Sequence, residues 1–204
     1  MTALIQPALL PSDLDGIVDI HMITFPGFFL TSMGRGFVRE YYRCVLEYPH
    51  RIGFVARHQE RTIGFAIGFA VPQDFYAFYR ARRGKLIPWI MVAAIRRPLL
   101  IPRIIRNVKR VSAVESQDGD VELSSISVLP EHSGKGIARM LITCFIETAQ
   151  TKGYRSIYLS TDADGNERVN AFYRKQGFQI EHKLLQGQRK MNLFRLFLTK
   201  MADE

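Results

Sequence analysis

The hydrophobic period of this chain changes from strand-like to helix-like across Val128-Leu129-Pro130-Glu131-His132-Ser133-Gly134-Lys135-Gly136-Ile137-Ala138. Upstream, Val121 to Val128 alternates as a strand. Its alternation puts Val121, Leu123, Ser125 and Ser127 on one face and Glu122, Ser124, Ile126 and Val128 on the other. Downstream, Ile137, Met140, Leu141, Cys144, Phe145 and Thr148 recur at helical spacing. A glycine-bearing turn that opens a helix presents main-chain N–H groups without helical acceptors, at the positive end of the helix dipole. That is an anion site, and phosphate is its usual guest.

Two familiar glycine loops fit badly. A nucleotide-triphosphate loop ends in Gly-Lys-Ser/Thr, but Gly134-Lys135 is followed by Gly136. The dinucleotide fingerprint needs a small residue where Arg139 stands. A third pattern fits. Val128-x-Pro130, a short loop, then Ser133-x-x-Gly136-x-Ala138 resembles the coenzyme A loop of the GNAT family of acetyl-CoA-dependent N-acetyltransferases. The family usually carries Gln or Arg where Ser133 stands, so a long side chain is missing while the backbone donors remain.

A second motif follows in the expected order. After a strand at 156–160 comes Asn166-Glu167-Arg168-Val169-Asn170-Ala171-Phe172-Tyr173-Arg174-Lys175-Gln176-Gly177-Phe178. It resembles the family's closing Asn-x-x-small-x-x-Phe-Tyr-x-x-x-Gly-Phe, with Val169 at the position for a smaller residue. Asn166 suits a helix N-cap and Gly177 a left-handed C-cap. The specific resemblance covers residues 121–182; before that it is architectural.

The elements before and after these motifs read as β-α-α-β-β, an insertion, then β-α-β-α-β-β. Leu4 to Ala8 reads as a strand, and Ser12-x-x-Asp15 as a capping box opening a helix with Leu14, Ile17, Val18 and His21 on its inner face. The turn Phe25-Pro26-Gly27-Phe28-Phe29 precedes a helix from Thr31 or Ser32 that carries Phe37, Val38, Tyr41 and Val45 inward. Residues 52–57 and 62–71 form a hairpin, and 178–183 with 190–199 a second one. The expected fold is α/β (α+β): one domain over 1–204, with a GNAT-like mixed central sheet of six to seven strands flanked by helices. A basic helical insertion, 75–114, lies ahead of the central strand.

Charge is concentrated in that insertion. The chain of 204 residues has a net charge of +9, and between Phe75 and Val114 there are ten Arg and Lys with no Asp or Glu. Solvated helix faces, an anionic membrane surface and nucleic acid are the readings of such a run, in that order. Nucleic acid is not expected as a partner. The apolar runs at 86–95 and 98–105 are too short to span a bilayer. The start of the chain lacks a basic stretch followed by a small-residue cleavage site, so a cytoplasmic protein is expected. Cys44 and Cys144 fall on apolar helical faces and read as reduced thiols. The histidines are scattered without metal-ligand spacing, so no metal is expected.

The resemblance implies acetyl-CoA as cosubstrate, held by Ile126, Ser127, Val128, Ser133, Gly134, Lys135, Gly136, Ile137, Ala138, Arg139, Asn166 and Phe172. The edge of the strand at Ile126 to Val128 would pair with the pantetheine amides. Glu122 is the candidate base and Tyr173 the candidate acid beside the thioester sulfur. Phe25, Phe28, Phe29 and Thr31 would contact the acceptor. The expected acceptor is a primary amine of a small molecule, with an amino sugar or sugar nucleotide as one form, attacked directly in a ternary complex. The arginines at 80, 82, 83 and 96 would meet a sugar diphosphate. A peptide acceptor, a non-catalytic coenzyme A-binding module and a homodimer are the open alternatives.

Overall fold

The computed structural model describes residues 3–96, 98, 117–186 and 189–199. Seven strands form one sheet: β1 (Leu4–Pro7), β2 (Arg51–His58), β3 (Arg61–Ala70), β4 (Asp120–Val128), β5 (Ser156–Asp162), β6 (Gln179–Gln186) and β7 (Arg189–Phe197). Their order is β1-β2-β3-β4-β5-β7-β6, and among the described residues β4–β5 is the one parallel neighbour pair. That pair joins only Asp120–Ser156, Val121–Ile157 and Glu122–Tyr158. Beyond Glu122 the two strands part: β4 runs on to Val128 paired with β3, and β5 runs on to Asp162 paired with β7.

The register corrects the expected faces of β4. Ile67 pairs with Ser125 and Gly68 with Leu123, so Ser124 is the extra residue of a β-bulge. Directly paired residues share a face. Ser125 and Ser127 therefore lie with Ile67 and Phe65, and Glu122 with Phe69, while Val121 and Leu123 join Ile126 and Val128 on the opposite face. Simple alternation fails because one inserted residue inverts everything beyond it.

Helices α1 (Leu14–Thr24), α2 (Phe29–Ser32) and α3 (Arg35–Glu47) follow β1. Phe65 meets the α3 ring Tyr42 at 5.5 Å, which fixes the α1–α3 side of the sheet. α6 (Ile137–Thr151) covers the other side: Cβ atoms at Gly64 and Gly68 would meet Leu141 and Phe145. The core spans both layers, with Ile17, Val18, Val38, Val45, Phe65, Phe69, Leu141 and Phe145 all buried. The expected capping box at Ser12 does not form. Helix α1 starts after Asp13, whose carboxylate accepts the Leu9 N–H at 2.7 Å and pairs with Arg57, while Asp15 serves Arg39 of α3.

The insertion begins earlier than expected, at Val71, which takes a left-handed φ of 50°. A β-branched residue adopts that conformation only when its surroundings hold it. Here the Val71 N–H donates to Asp120 O at 3.1 Å and its carbonyl accepts from Phe75 N at 3.1 Å. The turn directs α4 (Pro72–Ala81) along β3 and β4, and α5 (Ile87–Arg96) then packs Ala93, with Leu86 just ahead of the helix, against Met33 and Phe37. The rest of the basic segment, residue 97 and residues 99–116, lies outside the described residues. Cys44 is buried and free, and burial pushes its thiol up to about 11.

A Cβ at Gly68 would stand 2.0 Å from the Glu122 carbonyl oxygen, which is main chain and cannot turn aside. Gly68→Ala is therefore expected to cost about 3 kcal/mol or more, the range of severe overpacking. Gly84→Ala, with nothing within 4 Å, is expected to be near neutral. Urea denaturation of both variants checks the contrast, and equal stabilities would contradict it.

Candidate functional site

The parting of β4 and β5 opens a cleft of about 440 Å³. Its floor is Ile126, Ser127 and Val128, one wall is the loop and first turn of α6, and the other is α7 (Glu167–Lys175). The loop takes this shape because Gly134 and Gly136 have φ of 77° and 80°, a region costly for residues with a Cβ. Gly136 is the N-cap of α6, so the N–H groups of Ile137, Ala138 and Arg139 begin the helix without helical acceptors. They meet the open cleft at the positive end of a helix of 15 residues.

Ten of the twelve residues expected at the cofactor line this cleft: Ile126, Ser127, Val128, Ser133, Gly134, Gly136, Ile137, Ala138, Arg139 and Phe172. Lys135 and Asn166 are not among its lining residues. Lys135 Nζ donates back to Glu131 O at 2.9 Å. Asn166 stands at the N-cap of α7 without a side-chain cap bond; its amide instead donates to Thr161 Oγ1 at 2.8 Å and Asp162 O at 3.3 Å, tying down the end of β5.

The sequence reading missed Arg168. It is in the first turn of α7, lines the cleft, and reaches across it so that its guanidinium donates to Ser133 Oγ at 3.4 Å. A cation therefore stands beside the position where the long side chain usual in the resembled family is missing. Arg168 occupies an unmarked position inside the second motif, and only its helix phase, one turn before Phe172, could have pointed to it. His132 also lines the cleft, with Nδ1 buried and unpartnered among the described residues.

Tyr173 closes the inner end of the cleft, 6% exposed, with its ring 5.3 Å from Phe172, 5.8 Å from Phe178 and 5.7 Å from Phe194. Burial pushes its phenol well above the ordinary tyrosine value, so it is protonated at neutral pH. Glu122 sits at the fork itself, as the last β4 residue paired with β5. It is not a solvated strand end. Tyr158 donates to Oε2 at 2.8 Å, and Tyr76 of α4 to Oε2 at 2.9 Å and Oε1 at 3.1 Å. Desolvation raises the carboxyl pKa and the two phenols pull it back, with a net upward shift. Beside it, Tyr41 and Ser124 hydroxyls are 2.6 Å apart on the bulge.

The four residues expected at the acceptor divide. Phe25 and Phe28 meet edge-on at 5.0 Å, and the Arg189 guanidinium lies 4.5 Å over the Phe28 ring while pairing with Asp162. This links the α1–α2 turn to the start of β7. Phe29 instead packs toward Met33 and Phe37. Thr31 braces the turn from within, donating to Phe25 O at 2.5 Å and bonding His21 Nε2 at 3.1 Å. His21 Nδ1 bonds the Tyr42 hydroxyl at 2.8 Å.

The sequence profile of the Acetyltransferase (GNAT) family matches residues 14–178. The chain belongs to the GNAT acetyltransferase family. Among curated proteins, an uncharacterized N-acetyltransferase of Mycobacterium tuberculosis is 36% identical over 67 residues, covering 33% of this chain and 42% of that protein. The match thus spans under half the length of that relative. Among solved structures, the ribosomal-protein-S18-alanine N-acetyltransferase of Escherichia coli is similar with a TM-score of 0.60 at 15% identity, covering 100% of this chain and 97% of that one. The PaiA N-acetyltransferase of Thermoplasma acidophilum, solved with coenzyme A, has a TM-score of 0.59 at 15% identity, covering 95% and 98%. These are likenesses of fold. No group of His, Cys, Asp and Glu suited to a metal occurs among the described residues, nor does any helix there have the length and apolarity to cross a membrane.

His21 gives this GNAT chain a pH-sensitive brace. Its burial lowers the imidazole pKa from 6.5 to about 4. A folded-state pKa below the unfolded one means stability is fully present above the unfolded value and is lost as pH falls through 6.5 toward 4. The loss over that window is expected to be about 3 kcal/mol. Urea denaturation from pH 7 to 4 measures it, and His21→Gln is expected to flatten that part of the curve. An unchanged slope in the variant would contradict the assignment.

Proposed function

We propose that this chain transfers an acetyl group from acetyl-CoA to a primary amine by direct attack within a ternary complex. The observation that carries the reading is the fork: an anion-binding helix terminus at one end of the cleft and a protonated phenol at the other, with a carboxylate at the apex. The residues fit acetyl-CoA. The free edge of β4 at Ile126 to Val128 offers main-chain partners for pantetheine amides. The first turn of α6 offers N–H donors to the diphosphate, and Arg168 and Arg139 line the same space.

Proton affinities assign the roles. A thiol has a reference pKa of about 8.5 and a phenol about 10, so full proton transfer from tyrosine to a departing thiolate runs uphill by about 2 kcal/mol before burial adds to it. Tyr173 therefore acts by donating a hydrogen bond to the sulfur as charge develops there. The thiolate is protonated by the ammonium that attack creates. Glu122 is raised by burial and held back by two phenols, but a carboxylate remains a far weaker base than an alkylamine, and it acts through water or through the Tyr76 or Tyr158 hydroxyl.

That weakness bears on the acceptor. A lysine-like amine at pKa about 10.4 costs roughly 4–5 kcal/mol to deprotonate at pH 7, and an α-amine at about 7.7–8.0 costs about 1 kcal/mol. We therefore favour amines of low basicity. Amino sugars, whose neighbouring oxygens withdraw electrons, meet this condition, and the paired faces of Phe25 and Phe28 suit a sugar ring. Peptide α-amines meet it too and are the second reading, since the fold is shared with a protein-alanine N-acetyltransferase. The expected docking of a sugar diphosphate on Arg82 is withdrawn, because that guanidinium stacks on Phe78 at 3.5 Å and faces Glu47 at 3.7 Å.

Thiol release with a panel of amino sugars, sugar nucleotides, α-amino peptides and polyamines tests the reading. Turnover by the first three classes over polyamines is expected, and the ratio of sugars to peptides decides between the two acceptors. Tyr173→Phe is expected to lower kcat about 10- to 100-fold with acetyl-CoA affinity unchanged. Arg168→Ala is expected to weaken acetyl-CoA binding about tenfold, the loss of one charge-assisted contact, with recovery in Arg168→Ala/Ser133→Arg. Acetyl-CoA binding without thiol release from any amine would make the chain a non-catalytic binder.

A further inference from the structure

We propose that the outer face of α5 docks on an anionic lipid surface. The helix reads Ile87-Pro88-Trp89-Ile90-Met91-Val92-Ala93-Ala94-Ile95-Arg96, apolar on every side. A helix of that kind needs burial all round. Among the described residues it receives burial on one side, where Ile90 and Ala93, with Leu86 just before the helix, pack toward Met33 and Phe37, and Trp89 leans on Gly36. The opposite side leaves Ile87, Met91 and Ile95 at 50, 58 and 77% exposed, one turn apart, with Val92 beside them. A row of large aliphatic side chains is expensive to leave in water.

Charge identifies the occupant. Exposed Arg83 and Lys85 stand before the stripe and Arg96 closes it, and no acidic residue occurs between Phe75 and Val114. An apolar ridge with cations at both ends of its own segment is the pattern of a helix that lies in the interface of an anionic bilayer. Nucleic acid would satisfy the cations and leave the ridge bare. The same helix supports Phe29 and Leu30 of α2, so docking would bring the α1–α2 turn close to the lipid surface.

Co-sedimentation of the full chain with vesicles tests this. Binding to equimolar phosphatidylcholine and phosphatidylglycerol is expected, with little binding to phosphatidylcholine alone. The triple variant Ile87→Ser/Met91→Ser/Ile95→Ser is expected to lose at least about tenfold of the partitioning. Lys85→Glu/Arg96→Glu is expected to lose about 25-fold or more, at about fivefold per basic residue. Unfolding temperature and acetyl-CoA binding, whose site these residues do not line, should stay at wild-type values in both. Equal binding to neutral vesicles, or full binding by the triple variant, would overturn the proposal, as would competition by RNA that ignores the triple substitution. So would chemical footprinting that finds Ile87, Met91 and Ile95 protected without vesicles, or a dimer that dissociates in the triple variant.

Discussion

Everything the cleft does follows from the place where β4 and β5 stop pairing. Three residue pairs hold them together; beyond these each strand keeps its neighbour on the far side, β4 with β3 and β5 with β7, while the two facing edges have no ladder between them. Unpaired main-chain groups inside a protein are costly, so a sheet that opens needs something to occupy the gap. In this chain the opening is bordered by an edge of β4, a helix N-terminus and an aromatic helix face, which is a set of donors and surfaces for a long thioester-bearing ligand. The bulge at Ser124 works with the parting. By adding one residue beyond Glu122, it brings the carboxylate and the serines at 125 and 127 to the same face, opposite α6.

The polar apex shows how burial and hydrogen bonding oppose each other. Desolvation alone would drive Glu122 toward its neutral form, and two phenol donors resist that shift. One phenol arrives from β5, within the sheet, and the other from α4, positioned by the left-handed turn at Val71. The insertion thus contributes a residue to the site, which its basic composition does not suggest.

Much of the architecture is legible in sequence because both motifs carry their own geometry. Gly134 and Gly136 demand a left-handed loop, and the helical phase of Ile137, Leu141 and Phe145 sets which side of α6 is buried. The hairpins and the inner faces of α1 and α3 follow from periodicity in the same way. What periodicity does not carry is any event that breaks it. The bulge at Ser124 leaves no mark in composition, so the faces of β4 came out mixed. Arg168 escaped because its role depends on a gap filled by Ser133, 35 residues away. Nor does periodicity mark that Thr31 braces the turn from within, or that Phe29 packs toward Met33 and Phe37. The capping box expected at Ser12 gives way to Asp13 as the N-cap, and Asn166 takes the expected N-cap position while its side chain ties down the end of β5.

Calorimetric titration of acetyl-CoA into the full chain tests the central claim most directly, with S-acetylpantetheine, which carries no phosphate, as the comparison. One-to-one binding is predicted, weakening sharply when the diphosphate is missing and when Gly136 is replaced by valine. No heat with acetyl-CoA, or equal affinity for the two ligands, would mean that the helix terminus at the fork is not a diphosphate site.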